Sequence, residues 1–269
     1  MKTLRVATLN IWNRSGPWED RLRAIRAGLR ALAPDLVGLQ EVLRLAPEEG
    51  DGLDQAAAIA EGLDYHVAYG RARDEPWLGN AILSRWPIRR EHVFDLPRVG
   101  TNERRSLVAA EIDGPGGSFR FFVTHLNWKF DEGHVREAQV REVVARVEEV
   151  TQAAPPGGFP AILVGDFNAE PDADEIRYLR GLTSLGAPKR VYFQDAFARV
   201  GHGPGWTFSE RNPFAAPLRE PDRRIDYVFV RGLDDAGRGQ PLEASVCFDG
   251  PIEGSFASDH FGVIATLRA

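Results

Sequence analysis

Six short polar motifs in this 269-residue chain each close, or sit inside, an apolar run of strand length: Thr8-Leu9-Asn10, Leu39-Gln40-Glu41, Thr124-His125-Leu126-Asn127, Gly165-Asp166-Phe167-Asn168, Arg224-Ile225-Asp226-Tyr227 and Ser258-Asp259-His260. Singly such motifs carry little, because polar residues belong wherever a buried strand meets water. Six in order constrain the chain far more. It must hold several buried strands, spread over nearly its whole length, that present Asn, Asp, Glu and His at or near their ends.

Between the motifs, strand and helix patterns interleave. Asp20 to Leu32 sets Leu22, Ile25, Leu29 and Leu32 on one face, with Arg21, Arg23, Arg26 and Arg30 largely elsewhere, the period of an amphipathic surface helix that Pro34 stops. Asp35 to Leu39 is predicted as a buried strand, Gln55 to Leu63 as a short helix, and Tyr65 to Tyr69 and Ala81 to Leu83 as further strands. Val108 to Ile112 and Phe119 to Thr124 read as a hairpin closed by Asp113-Gly114-Pro115-Gly116-Gly117. A helix over Gly133 to Val150 carries Val135, Val140, Val143, Val144, Val147 and Val150. The Pro- and Gly-rich stretch Ala153 to Pro160 leads straight into Ala161-Ile162-Leu163-Val164, so it reads as a helix-to-strand loop rather than a linker. Residues 1–269 are therefore expected to form one domain, with a late strand over Arg224 to Val230. No Gly-x-Gly-x-x-Gly follows the first strand and no strict barrel period is present, which speaks against a dinucleotide fold and a TIM barrel.

With 43% hydrophobic residues the chain can bury a large core. Its net charge of -6 opposes a tight, sequence-independent grip on long nucleic acid, which depends on Lys and Arg neutralising phosphates. A local basic surface remains compatible with it. Cys247 is the lone cysteine, so neither an intrachain disulfide nor a thiolate zinc site can form, and it reads as core filler. Leu4 to Asn10 reads at once as the first strand rather than a signal peptide, and no apolar run reaches the ~18 residues of a membrane span. A cytoplasmic monomer is expected.

The residue types also have a chemical reading. Hydrolysis of an anionic phosphodiester requires charge neutralisation at the phosphoryl oxygens, an in-line water and stabilisation of the leaving oxygen. Glu41, Asp259 and Asp166 are oxygen ligands of the kind a hard divalent cation prefers, and the lack of a Cys cluster or a His-Glu-x-x-His argues for magnesium, or manganese, over zinc.

On the six motifs, from Thr8 to Leu267, the sequence resembles the endonuclease/exonuclease/phosphatase superfamily. That resemblance implies an α/β four-layer sandwich, two packed mixed β-sheets flanked by helices in the manner of deoxyribonuclease I, with the motif-bearing strand ends converging at one edge. It also implies roles. Glu41 is the principal metal ligand, with Asn10 beside it and Asp259 as a second ligand or an aid to the leaving group. Asp166 orients or deprotonates the attacking water, and Asn168 donates to a phosphate oxygen. His260 stabilises the phosphoryl group while Asp226 holds its imidazole. His125 is a second phosphate-contacting histidine whose acidic partner is expected before Gly79, where Asp74 and Glu75 are the acids at hand.

Substrate contacts are expected from Asn127, Trp206 and Arg224. The last two belong to a loop-rich region in which Arg211, Arg219, Arg223 and Arg224, with Trp206 and Phe208, have the composition of a phosphate-steering rim. The expected activity is that of a metal-dependent phosphodiesterase or nuclease acting on nucleic-acid ends or short strands, with a phosphatase or phospholipase C-like activity on a small or lipid phosphoester as the alternative. A calcineurin-like metallophosphoesterase is disfavoured, because Gly201-His202-Gly203 is no substitute for that family's Gly-His-x-His. A catalytically dead scaffold would show an eroded polar set, and this one is intact.

Overall fold

In the computed structural model, which describes residues 2–269 other than 47, 49, 50, 154–157, 187–190 and 233, the apolar runs are strands and the amphipathic stretches helices. The strands are β1 (Thr3–Asn10), β2 (Leu36–Leu43), β3 (His66–Gly70), β4 (Leu78–Ser84), β5 (Ile88–Asp95), β6 (Ser106–Gly114), β7 (Gly117–His125), β8 (Ile162–Asp166), β9 (Phe193–Asp195), β10 (Asp226–Arg231), β11 (Pro241–Cys247) and β12 (Gly262–Arg268). The helices are α1 (Trp18–Leu32), α2 (Gln55–Ala60), α3 (Gly133–Gln152), α4 (Asp174–Leu179) and α5 (Ala196–Val200). Among the described residues the strands form two six-stranded sheets, ordered β11-β12-β1-β2-β4-β3 and β5-β6-β7-β8-β10-β9. Both are mixed, with one parallel pair each, β1 with β2 and β7 with β8.

Strand alternation sorts the side chains into layers. Leu4 and Val6 of β1 face the second sheet, joining Val123 of β7, Val164 of β8 and Val263 of β12 in a core between the sheets. Ala7 and Leu9 of β1 point the other way, under α1 and α2. In β8, Leu163 turns away from the intersheet core and is covered by Val140, Val143, Val144 and Val147 of α3. The layers thus run helices, sheet, sheet, helices. Burying these aliphatic faces, at roughly 25 cal/mol per Å² of apolar surface, drives the assembly. Gly38 lets the sheets close: a Cβ there would run into the methyls of Val123 and Val164 across the interface.

The six valines of α3 are buried as their spacing predicts, and the β6–β7 hairpin turns at Gly114–Gly117. The helix after Gln55 ends at Ala60, and β2 continues through its motif to Leu43. The predicted loop Ala153 to Pro160 lies partly outside the described residues. α1 requires a correction. Its buried face consists of Trp18, Arg21, Ala24, Ile25, Gly28 and Leu29, so Arg21, assigned above to the solvent side, is fully buried. Its guanidinium donates to the carbonyls of Ile11, Trp12, Asn13, Ser15 and Ala257, which supplies the acceptors a buried cation needs. Among the described residues no helix is long and apolar enough to cross a membrane.

Candidate active site

The strand registers bring three motif residues side by side. His125 at the end of β7 pairs with Asp166 at the end of β8, and Asp166 pairs with Asp226 at the start of β10. Gly165 makes this row possible. Its φ is +152°, and a Cβ there would collide with the carbonyl of Thr124 on the parallel strand, so a residue with a side chain would push Asp166 out of register. The chain then turns sharply: the Asn168 N–H donates to Asp166 Oδ1 at 2.9 Å, and Asn168 sits in the left-handed region that Asn tolerates.

The other sheet contributes Asn10 and Glu41 from its parallel pair. The β2–β4 register shifts between Leu39 and Val42, and Glu41 lies in that irregularity with φ +55°. A bulge of this kind re-aims the side chain. Glu41 accepts from Asn10 Nδ2 at 3.4 Å and from Asn13 Nδ2 at 2.9 Å, and remains half-buried.

Asp259 and His260 come from the segment before β12. Ser258 Oγ donates to Asp259 Oδ1 at 3.1 Å, and the Phe208 ring meets the His260 imidazole edge-on at 5.0 Å. Thr207 ties this segment to β10, its hydroxyl accepting from the N–H groups of Ile225 and Asp226 and its carbonyl from Phe261. Arg21 ties it to the β1 exit through Ala257 and Ile11.

The meeting point is Asp166 Oδ2. Asn10 Nδ2 donates to it at 3.0 Å, with His125 Nε2 at 3.4 Å and His260 Nε2 at 3.8 Å. His260 Nδ1 donates to Asp226 Oδ2 at 3.0 Å. Burial, reinforced by Asp226, pushes the Asp166 carboxyl up to about 7. Burial alone would lower the His260 imidazole, but Asp226 and Asp166 outweigh it and raise it to about 10, so this ring is an imidazolium at neutral pH. His125 goes the other way: burial, with Arg105 and His260 nearby, holds it neutral. Burial and the charge of Glu41 push Asp259 up to about 6.

The acidic partner expected for His125 is replaced by a base. Arg105 Nη1 lies 3.1 Å from His125 Nδ1, and Glu103 holds the same guanidinium through its Nε and Nη2. Arginine can only donate, so His125 Nδ1 accepts from it and the neutral ring's proton resides on Nε2, which Asp166 Oδ2 at 3.4 Å can accept while the Asn168 amide nitrogen at 3.1 Å cannot. Glu75 takes N–H groups of Trp77 and Leu78 instead.

Three expected substrate contacts lie elsewhere. Arg224 is buried in a two-pronged ion pair with Asp195, the residue that caps α5, at 2.9 and 3.1 Å. Arg223 pairs with Glu220, and the Arg211 guanidinium lies over the Trp206 and Phe261 rings, so most of the arginines of the expected rim are committed. Trp206 lines a groove with Phe197, His202 and Val246, apart from the cleft that His125 and Glu41 line. Asn127 is spent on its own turn, donating to Glu132 and accepting from the Lys129 N–H.

Asp166, Asp226 and His260 offer ligand atoms within 4.8 Å of one another. His260 Nδ1 is bonded to Asp226 Oδ2 and Asn10 donates to Asp166 Oδ2, so the trio's ligand atoms are engaged in one hydrogen-bonded network of the kind that moves protons. Glu41 and Asp259, close enough for their charges to repel, are oxygen donors of the type a hard divalent cation prefers.

Two mixed sheets packed face to face carry a buried carboxylate–imidazole centre at one edge, the architecture of a family whose members are in general metal-dependent phosphoester hydrolases. The model of the Endonuclease/Exonuclease/phosphatase family matches residues 7–260, and the chain belongs to that family. Among solved structures it resembles an endonuclease/exonuclease/phosphatase from Beutenbergia cavernae DSM 12333, at 29% identity and TM-score 0.76 over 100% of this chain and 72% of that one. It also resembles truncated Caenorhabditis elegans TDP2, at 21% identity and TM-score 0.75 over 99% and 98% of the two chains. The human Nocturnin catalytic domain with bound sulfate follows, at 19% identity and TM-score 0.72 over 98% and 94%. At such identities the last two share the fold alone. No curated protein sequence matches the chain.

Proposed function

We propose that this protein is a phosphodiesterase or nuclease that hydrolyses its substrate by in-line attack of water and requires magnesium, with manganese as a substitute. The carrying observation is the convergence of Asn10, His125 and His260 on Asp166 Oδ2, with Glu41 bonded to the same Asn10 amide. Glu41, Asp259 and Asn10 would hold the cation, which when bound supplies neutralisation of charge on the phosphoryl oxygens.

The protein's own groups divide the rest. Asp166, raised toward neutrality beside Asn10, His125 and His260, orients the attacking water and takes its proton. His260, kept charged by Asp226, donates from Nε2 to the phosphoryl group, and neutral His125 donates from its own Nε2. Asn168 Nδ2, 3.1 Å from His125 Nε2 and 3.2 Å from the Leu126 carbonyl, stands ready to turn toward a phosphate oxygen.

The test is hydrolysis of bis-p-nitrophenyl phosphate by chelator-treated protein. Activity should be absent in chelator and return with magnesium or manganese. Full activity in excess chelator would rule out the proposed chemistry.

A further inference from the structure

Beside the catalytic centre runs a cleft of about 250 Å³ whose lining includes residues that the chemistry above leaves unused. Glu41 and His125 open onto it, together with Asn80, Arg104, Arg105 and Trp128. Arg105 is committed to Glu103 and His125. Arg104 is not. Among the described residues it makes no ion pair or hydrogen bond, and its Nε is buried without an acceptor. A guanidinium whose buried Nε has no protein acceptor among the described residues, in a cleft that His125 and Glu41 also line, suits an anion.

The aromatic side chains at the same mouth point to what the anion is attached to. Trp128 is 52% exposed on the cleft wall, and Trp77, 54% exposed, adjoins the lining residue Leu78. Folding would bury such a ring, so holding the Trp128 indole in water on the cleft wall marks a binding surface. The Asn127 turn fixes where Trp128 stands. Glu41, Glu75 and Glu103 line the cleft too, which disfavours a densely charged inositol polyphosphate, and the lining offers no continuous apolar wall for a lipid.

Building on the phosphodiesterase reading, we propose that Arg104 and Trp128 form a nucleotide subsite. The guanidinium takes a phosphate next to the scissile one, and the indole stacks on the base that this nucleotide carries. The substrate class is a nucleotidyl ester with a second phosphate, either the 5′-phosphorylated end of a single strand or a free dinucleoside pyrophosphate.

The experiment compares kcat/KM for a 5′-phosphorylated dinucleotide, its 5′-hydroxyl counterpart, its analogue lacking the 5′ base and a dinucleoside pyrophosphate, with bis-p-nitrophenyl phosphate as the reference. Wild type should favour the phosphorylated over the hydroxyl dinucleotide by about tenfold and the base-bearing over the base-less one by about fivefold or more. Arg104→Met should erase the first ratio and spare the second; Trp128→Leu should do the reverse. Faster cleavage of the pyrophosphate than of the dinucleotide assigns the subsite to free dinucleotides, and the opposite order assigns it to strand ends. Ratios near one in wild type, or ratios the variants leave unchanged, overturn the subsite, as does cleavage of the reference without any nucleotide. If the reference itself is not cleaved in magnesium, the phosphodiesterase reading falls separately. Calorimetric binding of the same dinucleotides to Asp166→Asn then decides the subsite: about tenfold tighter binding of the phosphorylated compound supports it, and equal affinity refutes it.

Discussion

Asp166 and His260 share one carboxylate–imidazole network yet carry different tasks, because burial acts on them in opposite senses and only His260 has a dedicated counter-ion in Asp226. His260→Ala should therefore lower kcat by about two to four orders of magnitude while leaving the fold intact, read from steady-state kinetics and circular dichroism. A loss below threefold would remove His260 from the chemistry. Asp259 offers a test through stability. Its folded carboxyl titrates at about 6 against an ordinary 3.8, so between those values the unfolded chain is ionised while the folded one still holds its proton. Asp166 contributes a loss of the same sign in both proteins, so wild type should lose more stability than Asp259→Asn as pH rises through that window. In chelator the melting temperature of the variant relative to wild type should climb between about pH 4 and 6 and then level off; a flat difference would mean that Asp259 is not held in the way described. Glu41, Asp166 and His260 were legible in the sequence because each belongs to a local motif at a strand end. Arg21 and Arg105 were not, since their acceptors Ala257 and His125 lie far along the chain and only the folded registers bring them close.

Elements place these residues through backbone features as much as through side chains. Gly165→Ala should lower stability by about 1 to 3 kcal/mol in urea unfolding and reduce turnover as well, because relieving the collision with the Thr124 carbonyl shifts Asp166. A fully stable and active variant would show that β7 and β8 tolerate a wider spacing. Arg224→Met should leave Asp195 buried and unpaired at the start of α5, at a cost of about 3 to 5 kcal/mol, without raising KM in proportion. A rise in KM with unchanged stability would return Arg224 to the substrate rim. The helices with a clear valine stripe and the β6–β7 hairpin were readable from periodicity. β5 was hidden by the polar Arg89-Arg90-Glu91 of an edge strand, and β9, α4 and α5 are too short for any period to show. The arginine-rich approach to Asp226 looked like a phosphate rim in sequence for a related reason: composition does not reveal that Glu220 and Asp195 already take two of its charges.

For the whole molecule, a net charge of -6 disfavours long-range attraction to polyanions, while the free guanidinium of Arg104 acts only at close range. Short single strands and small phosphodiesters should be cleaved in preference to the interior of supercoiled plasmid at matched phosphate concentration. Rapid internal nicking with a steep salt dependence would instead reveal a phosphate-tracking surface. The family and its four-layer sandwich were legible from the order of six motifs alone, whereas the cleft that gives the site its selectivity is assembled from Glu41, Arg104 and Trp128, which no local pattern connects. In the proposed reaction Asp166 activates water for a cation-dependent attack on phosphorus. The most direct measurement is magnesium-dependent hydrolysis of bis-p-nitrophenyl phosphate by wild type beside Asp166→Asn, folded to the same melting temperature. Wild type should show clear turnover and the variant a loss of about two to four orders of magnitude. Turnover by Asp166→Asn within twofold of wild type would contradict it.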